Sequence, residues 1–371
     1  MSTNLRTRAS WTFGLPRSVH AFGVNLLLLP LGIATSIVIA RTVGPTGKGS
    51  LDLIVATSAL LTLLLSMSLP QGVTYVVAQR PSTASTLAAQ LVFVSLLQAT
   101  IALLVLGVLR LTPHFPRFLP DWGPWIIGGV VLFVWVDLVS KFWAAILTGQ
   151  QHIAIVNNAE FVGRVTQFVS VFVIAAVLYF SGKQLSVAVL FGVTVSASAL
   201  INILLLASLD FRFQLSRDWG GLKAAVAFAI PNYAANVVQF LNYRLDVFVV
   251  GFFAGTASVG RYTLAVSLGQ LLWLMSNSVA AVLLPKVAAA TERDVSVRHT
   301  ARVTRLCLWA TAFCALVLAA LATQAMRVMS PGSRTNGANG RSIVGGPAKT
   351  TAGGPTAQGS APRSHAAAAS V

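Results

Sequence analysis

The sequence predicts an all-α integral membrane protein, a polytopic bundle of about nine transmembrane helices. Three observations carry that expectation. Of the 371 residues, 56% are hydrophobic and only 9% are charged, against roughly 25% charged in a typical soluble domain. So little charge could not cover a globular surface of this size. Apolar runs recur at about the 20 residues needed to cross a hydrocarbon core of about 30 Å. The runs are joined by short connections rich in turn residues, such as VGPTGKG at 43–49, RPSTAS at 80–85 and SGK at 181–183.

The helices are expected at 21–42, 51–78, 85–109, 124–147, 158–181, 185–208, 223–252, 259–285 and 301–326. The apolar run from Phe22 to Ala40 exceeds a signal-peptide core and is followed by Arg41, so it reads as the first span, not a cleaved leader. Pro30 and Pro231 fall inside the first and seventh helices and are expected to kink them. The loop 110–124, RLTPHFPRFLPDWGP, offers Trp122 and Trp125 as anchors at the membrane interface. Cys307 and Cys314, seven apart on the ninth helix, share a face and suit helix packing. Metal-ligand spacing is absent, and no metal or other cofactor is expected.

The net charge of +17 comes from 26 Lys and Arg against 9 acids. In a soluble chain that surplus would point to nucleic acid. Here the cations lie mostly between apolar runs, where they set topology and meet anionic headgroups. With the N-terminus inside, that side holds twelve Lys and Arg against seven outside, which favours a multi-pass protein of the plasma (inner) membrane with a cytoplasmic N-terminus. The sequence lacks a phosphate-cradling GxxxxGK[ST] loop, and no Ser–His or His–acid pair is spaced for hydrolysis or glycosyl transfer, so the chain does not read as an enzyme.

An internal repeat organises the membrane region. GPTGKGSLDLIVATSALLTLLLS, from residue 44, and GTASVGRYTLAVSLGQLLWLMSN, from residue 255, align at a constant offset of 211. The offset pairs Gly44 with Gly255, Gly49 with Gly260 and Leu53 with Leu264. Six helices separate the copies, an even number, so the copies run parallel about an axis along the membrane normal, as in two-lobed transporters. The expected division is a basic cytoplasmic segment 1–20, a six-helix N-lobe 21–208, a linker 209–222, a partial C-lobe 223–326 and a low-complexity tail 327–371. The tail contains no acid and cannot bury a core. It reads either as a flexible linker or as a frameshifted or truncated end, and the missing second-lobe helices favour the latter.

Several stretches carry a family resemblance. IARTVGPTGKGSLDL at 39–53 resembles the Gly-rich turn between the first two helices of polysaccharide-biosynthesis (O-antigen) flippases. RLDVFVVGFFAGTASVGRYTLAVSLGQLLWLMSNSVAAVLLPKVA at 244–288 is similar to that family's seventh and eighth helices, with an Asp, the Gly260–Tyr262 pattern and Pro285 near the exit. TGQQHIAIVNNAEFVGRV at 148–165 resembles the linker into the fifth helix. The resemblance implies two lobes around a central cavity, related to multidrug and toxic-compound extruders. It also implies transport of lipid-linked oligosaccharide, carried on polyprenyl pyrophosphate, from the inner to the outer leaflet. Implied partners are that substrate, membrane lipids, a coupling ion (proton or sodium) and other polysaccharide-assembly proteins.

Such a cavity would hold its charges at membrane depth, where ionisable residues mark function by default. Arg244 and Asp246, two apart on a helix, do not face each other. Either Arg244 snorkels to the membrane edge, or it attracts an anionic head with Asp246 as cation site or orienting partner. Glu160 and Arg164, at i and i+4, are spaced for a pair, with Arg164 deeper and Gln167 nearby. Asp137 and Lys141, also i and i+4, lie mid-run and suit mutual neutralisation as well as substrate contact. Asn232, Asn236, Gln239 and Asn242 form an amide row beside Pro231, able to bond sugar hydroxyls or to tie helices together. The competing readings are an ion-coupled drug or cation extruder of the same architecture and a broken, inactive flippase copy. An integral-membrane glycosyltransferase or ligase is disfavoured, because no loop before the tail exceeds about 15 residues.

Overall fold

The computed structural model describes residues 17–112, 123–181, 185–210, 214, 218–270, 272 and 293–329, and every regular element among them is helical. The basic segment before Arg17, most of the 110–124 loop with Trp122, the end of the expected eighth helix and the tail after Met329 lie outside the described residues. The helices are α1 (Arg17–Ser66), α2 (Leu69–Gln79), α3 (Ala84–Arg110), α4 (Pro124–Gly149), α5 (Ile153–Phe180), α6 (Val187–Ala207), α7 (Gly220–Ala254) and α9 (Arg293–Met329). Residues 256–270 form α8. Among the described residues, seven helical stretches are long and apolar enough to cross a bilayer: Pro30–Ser66, Pro81–Arg110, Pro124–Gly149, Ile153–Phe180, Val187–Ala207, Gly220–Ala254 and Ala301–Ala320.

Two details differ from expectation. The stretch 43–49 is not a loop. Gly44 alone leaves the helix, at φ 70° and ψ 178°, a conformation open to glycine and closed to side chains. Pro45 then restarts the helix at a position where a missing N–H costs nothing, so α1 bends sharply into segments 17–43 and 45–66. The second expected helix is also interrupted at membrane depth, where Met67 and Ser68 adopt φ 48° and 57°. Carbonyls freed there must find donors inside the protein. Tyr233 Oη donates to the Leu64 carbonyl at 3.1 Å, and Gln98 Nε2 donates to the Leu65 carbonyl at 2.6 Å. Asn236 Nδ2 donates to Ser68 Oγ at 2.8 Å. Both Pro30 and Pro231 lie inside helices without ending them.

Helices α1–α6 form one bundle with α4 at its centre, packed on α2, α3 and α6. Its buried face carries Val130, Val134, Leu138, Ile146 and Leu147. Since lipid is as apolar as these side chains, polar ties give the bundle its specificity. Trp143 Nε1 donates to Asn202 Oδ1 at 3.2 Å, Asn202 Nδ2 to the Val136 carbonyl at 3.2 Å, and Trp135 Nε1 to Ser95 Oγ at 3.2 Å. Buried hydroxyls return to their own helices, as when Thr57 and Ser58 donate to the Leu53 and Ile54 carbonyls. Trp125, at the first turn of α4, is exposed. On α9, Leu308, Trp309, Phe313 and Leu316 are all exposed, a surface suited to lipid.

Helix α7 lies along α2 and the second segment of α1. Tyr75 stacks on Phe228 with ring centroids 4.2 Å apart, and Gly251 faces Leu53. One turn from the ring pair, a Cβ on Gly72 would lie 2.0 Å from the Ala225 carbonyl oxygen. Gly72→Ala is therefore expected to push α2 off α7 and to destabilise by about 1–3 kcal/mol, the usual cost of overpacking. Thermal unfolding in detergent, with Gly107→Ala at an open position as the control, checks it.

Candidate functional site

The charged residues anticipated from the sequence sort into three arrangements. On α4, Lys141 Nζ donates to Asp137 Oδ2 at 2.9 Å, so this pair neutralises itself as its spacing predicts. Its side chains remain 46% and 27% accessible, and the pair occupies the middle of a 26-residue helix. At that depth a charge turned to lipid would cost several kcal/mol, which mutual pairing reduces.

On α5 the spacing of Glu160 and Arg164 allows a pair, but no ion pair or hydrogen bond joins them or ties either to another described residue. Both are exposed. Glu160 lies within electrostatic range of Arg164 and also of Asp137 on α4. Two pairs that look independent in the sequence thus feel one another's charge across α4 and α5. Gln167, one turn further, donates to Thr194 Oγ1 on α6 at 3.2 Å and is taken up in packing.

On α7, Arg244 and Asp246 point apart. Asp246 accepts a hydrogen bond from Tyr262 Oη on α8 and one from the Val247 amide at 2.8 Å. Arg244 is exposed and has no hydrogen bond or ion pair with any described residue. It sits ten residues before the end of α7, about 15 Å at 1.5 Å per residue. Arg164 is eleven residues into α5, about 16 Å. Both arginines therefore sit well inside helices apolar enough to cross a bilayer, exposed and with no hydrogen bond or ion pair to a described residue.

The amide row does not act as one surface. Asn236 is bound to Ser68 and closes the α1–α2 break. Asn232 Nδ2 returns to the Phe228 carbonyl of its own helix at 3.1 Å. Gln239 and Asn242 are exposed and bond no described residue, so these two remain open to a ligand.

One polar group escaped the sequence reading. Lys48, which would count as a loop cation, is only 4% exposed. Its Nζ bonds both carboxylate oxygens of Asp52, and Thr263 Oγ1 on α8 donates to the same carboxylate. Thr263 and Asp52 are 211 residues apart, the offset of the repeat. That offset was the available signal. A separate cavity of about 370 Å³ lies at the turns between helices, lined by Ser82, Ser85, Gln150, His152, Ser208 and Asp210. It lies at the ends of the spans, with Gln150 and His152 in the turn between α4 and α5.

A bundle of kinked and broken apolar helices of this length is the architecture of a polytopic membrane protein. Among solved structures, the fold matches one described as the inward-facing conformation of a multidrug resistance MATE family transporter of the MOP superfamily. The TM-score is 0.60 at 13% identity, covering 86% of this chain and 77% of that one. The chain belongs to the polysaccharide biosynthesis protein family, whose model matches residues 20–290. No curated protein matches it.

Proposed function

We propose that the chain is a flippase moving lipid-linked, polyprenyl-pyrophosphate oligosaccharide across the bacterial inner membrane, by alternating access of a cationic cavity. The observation that carries this reading is the pair of exposed arginines, Arg164 and Arg244, well inside α5 and α7 with no hydrogen bond or ion pair to a described residue. A pyrophosphate and its sugars cannot shed water into hydrocarbon without replacement partners. Two guanidiniums supply fork-shaped donors for phosphate oxygens. Gln239, Asn242 and the charges of α4 and α5 around Asp137 and Glu160 supply partners for hydroxyls, while the polyprenyl tail stays in lipid. The N-terminus is cytoplasmic in this scheme, so the Gly44 and Gly255 turns face outward.

The fold likeness is equally compatible with an ion-coupled drug extruder. Against that reading, Asp246, the acid best placed in the second half of the membrane region to attract a cation, is already engaged by Tyr262. Expression in a bacterial strain lacking its own oligosaccharide flippase tests the proposal. Restored surface polysaccharide supports it. Unrestored polymer together with gained resistance to cationic dyes would transfer the assignment to the extruder.

A further inference from the structure

Near the Gly44 and Gly255 turns, the two copies of the repeat cross at van der Waals contact of their backbones. A Cβ on Gly49 would lie 1.8 Å from the Thr256 carbonyl oxygen, and a Cβ on Gly260 would lie 2.1 Å from the Pro45 carbonyl oxygen. Both obstructing atoms are backbone, so neither could swing away. The contact is reciprocal: Gly49 meets Thr256 and Gly260 meets Pro45, and the repeat offset of 211 turns the one contact into the other, taking Gly49 to Gly260 and Pro45 to Thr256. Reciprocity of this kind is the signature of a two-fold interface, here within one chain. The kinks on either side also match, with Gly44 at φ 70° and Gly255 at φ 77°.

One turn along from this crossing lies the Lys48–Asp52–Thr263 group, in which the acceptor is on α1 and the hydroxyl comes from α8. A small apolar cluster continues inward, with Ala40 and Leu264 buried against Ile33, Ile37 and Leu268. We propose that the Gly49–Gly260 crossing and the Lys48–Asp52–Thr263 group together form the seal that closes the transport path at this end of the membrane. The proposal rests on the transporter reading above.

The chemistry suits a contact that must break and reform. Both charges are carried by α1, four residues apart, so parting the two repeats leaves the ion pair intact. Among the described residues of this group, the bond from the uncharged Thr263 hydroxyl to the Asp52 carboxylate is what crosses the joint and is lost on opening. Had the cation been on α8, every opening would strand two partly desolvated charges, at a large cost. Glycines at the crossing let the backbones meet closely without interlocking side chains, so separation meets no steric catch.

The test measures access, independent of any substrate. In the full chain with Cys307→Ser and Cys314→Ser, Ser267→Cys places a reporter one turn inward of Thr263. Its reaction with a membrane-impermeant maleimide is followed from each side in vesicles of both orientations. From the Gly44 side the parent should label slowly. Gly49→Ala, and separately the near-isosteric Thr263→Val, should raise that rate at least tenfold, whereas Gly269→Ala, which faces open space, should not. Fast labelling of the parent from that side overturns the proposal. So does an unchanged rate in Thr263→Val, which preserves volume and folds even if Gly49→Ala does not. Accelerated labelling in a chain that restores no polysaccharide would leave the seal standing and remove the flippase reading instead.

Discussion

Replacing Arg164 and Arg244 with alanine together is expected to abolish polysaccharide export in the complementation strain while leaving the melting temperature of the purified protein unchanged. Each guanidinium is exposed and has no hydrogen bond or ion pair with a described residue, so removing it costs little beyond the longer-range attraction of Arg164 for Glu160. A hydrogen bond to a charged group contributes about 1.5–3 kcal/mol, and about 1.4 kcal/mol corresponds to a tenfold change in affinity. Each single alanine variant should therefore reduce transport at limiting substrate by about ten- to a hundredfold. Arg→Lys at either position keeps the charge but loses the planar fork, and should fall between wild type and alanine. The same comparison for Asn236→Ala should invert the pattern. That amide ties α7 to Ser68 at the helix break, so melting should fall even where transport per folded molecule survives. Normal export by the double arginine variant would remove both residues from the mechanism.

These contrasts also mark how far the sequence could be read. Membrane spans were legible because apolar length is a local property, and most expected helices are found within a few residues of their predicted ends. The repeat was legible from glycines, since positive φ at Gly44 and Gly255 and close approach at Gly49 and Gly260 exclude any side chain. The break at Met67–Ser68 was not, because neither residue is a helix breaker and Pro70 is tolerated in a first turn. Tertiary donors from α3 and α7 stabilise it, and no local pattern encodes them. Asn236 illustrates the same limit: an amide facing a cavity and an amide tied to a neighbouring helix's serine have identical spacing. Spacing likewise showed that Glu160 and Arg164 could pair, but not that Asp137 would approach from α4. Lys48 was hidden by its surroundings, since Gly, Pro and Thr at 43–49 read as a loop, where a lysine would be solvated.

Lys48→Met is expected to be among the most destabilising single substitutions in the chain. With Lys48 only 4% exposed, removing it leaves the Asp52 carboxylate against Thr263 with no countercharge. Breaking a buried pair from one side costs about 3–5 kcal/mol, because the remaining ion keeps its desolvation penalty. Asp52→Leu alone should cost a similar amount by stranding the ammonium. The double variant, Lys48→Met with Asp52→Leu, should recover most of the loss, since an apolar pair of comparable volume is close to neutral in such a site. The measurement is a double-mutant cycle on thermal unfolding in detergent, where the coupling should reach several kcal/mol. If the pair were effectively solvated, each single variant would cost under about 1 kcal/mol and the coupling would vanish. That outcome would return Lys48 to the loop cations and take the electrostatic part of the seal with it. A large coupling would establish that α1 carries a desolvated ion pair where the two repeats meet, a feature with no purpose in a rigid bundle's surface but a clear one at a joint that opens.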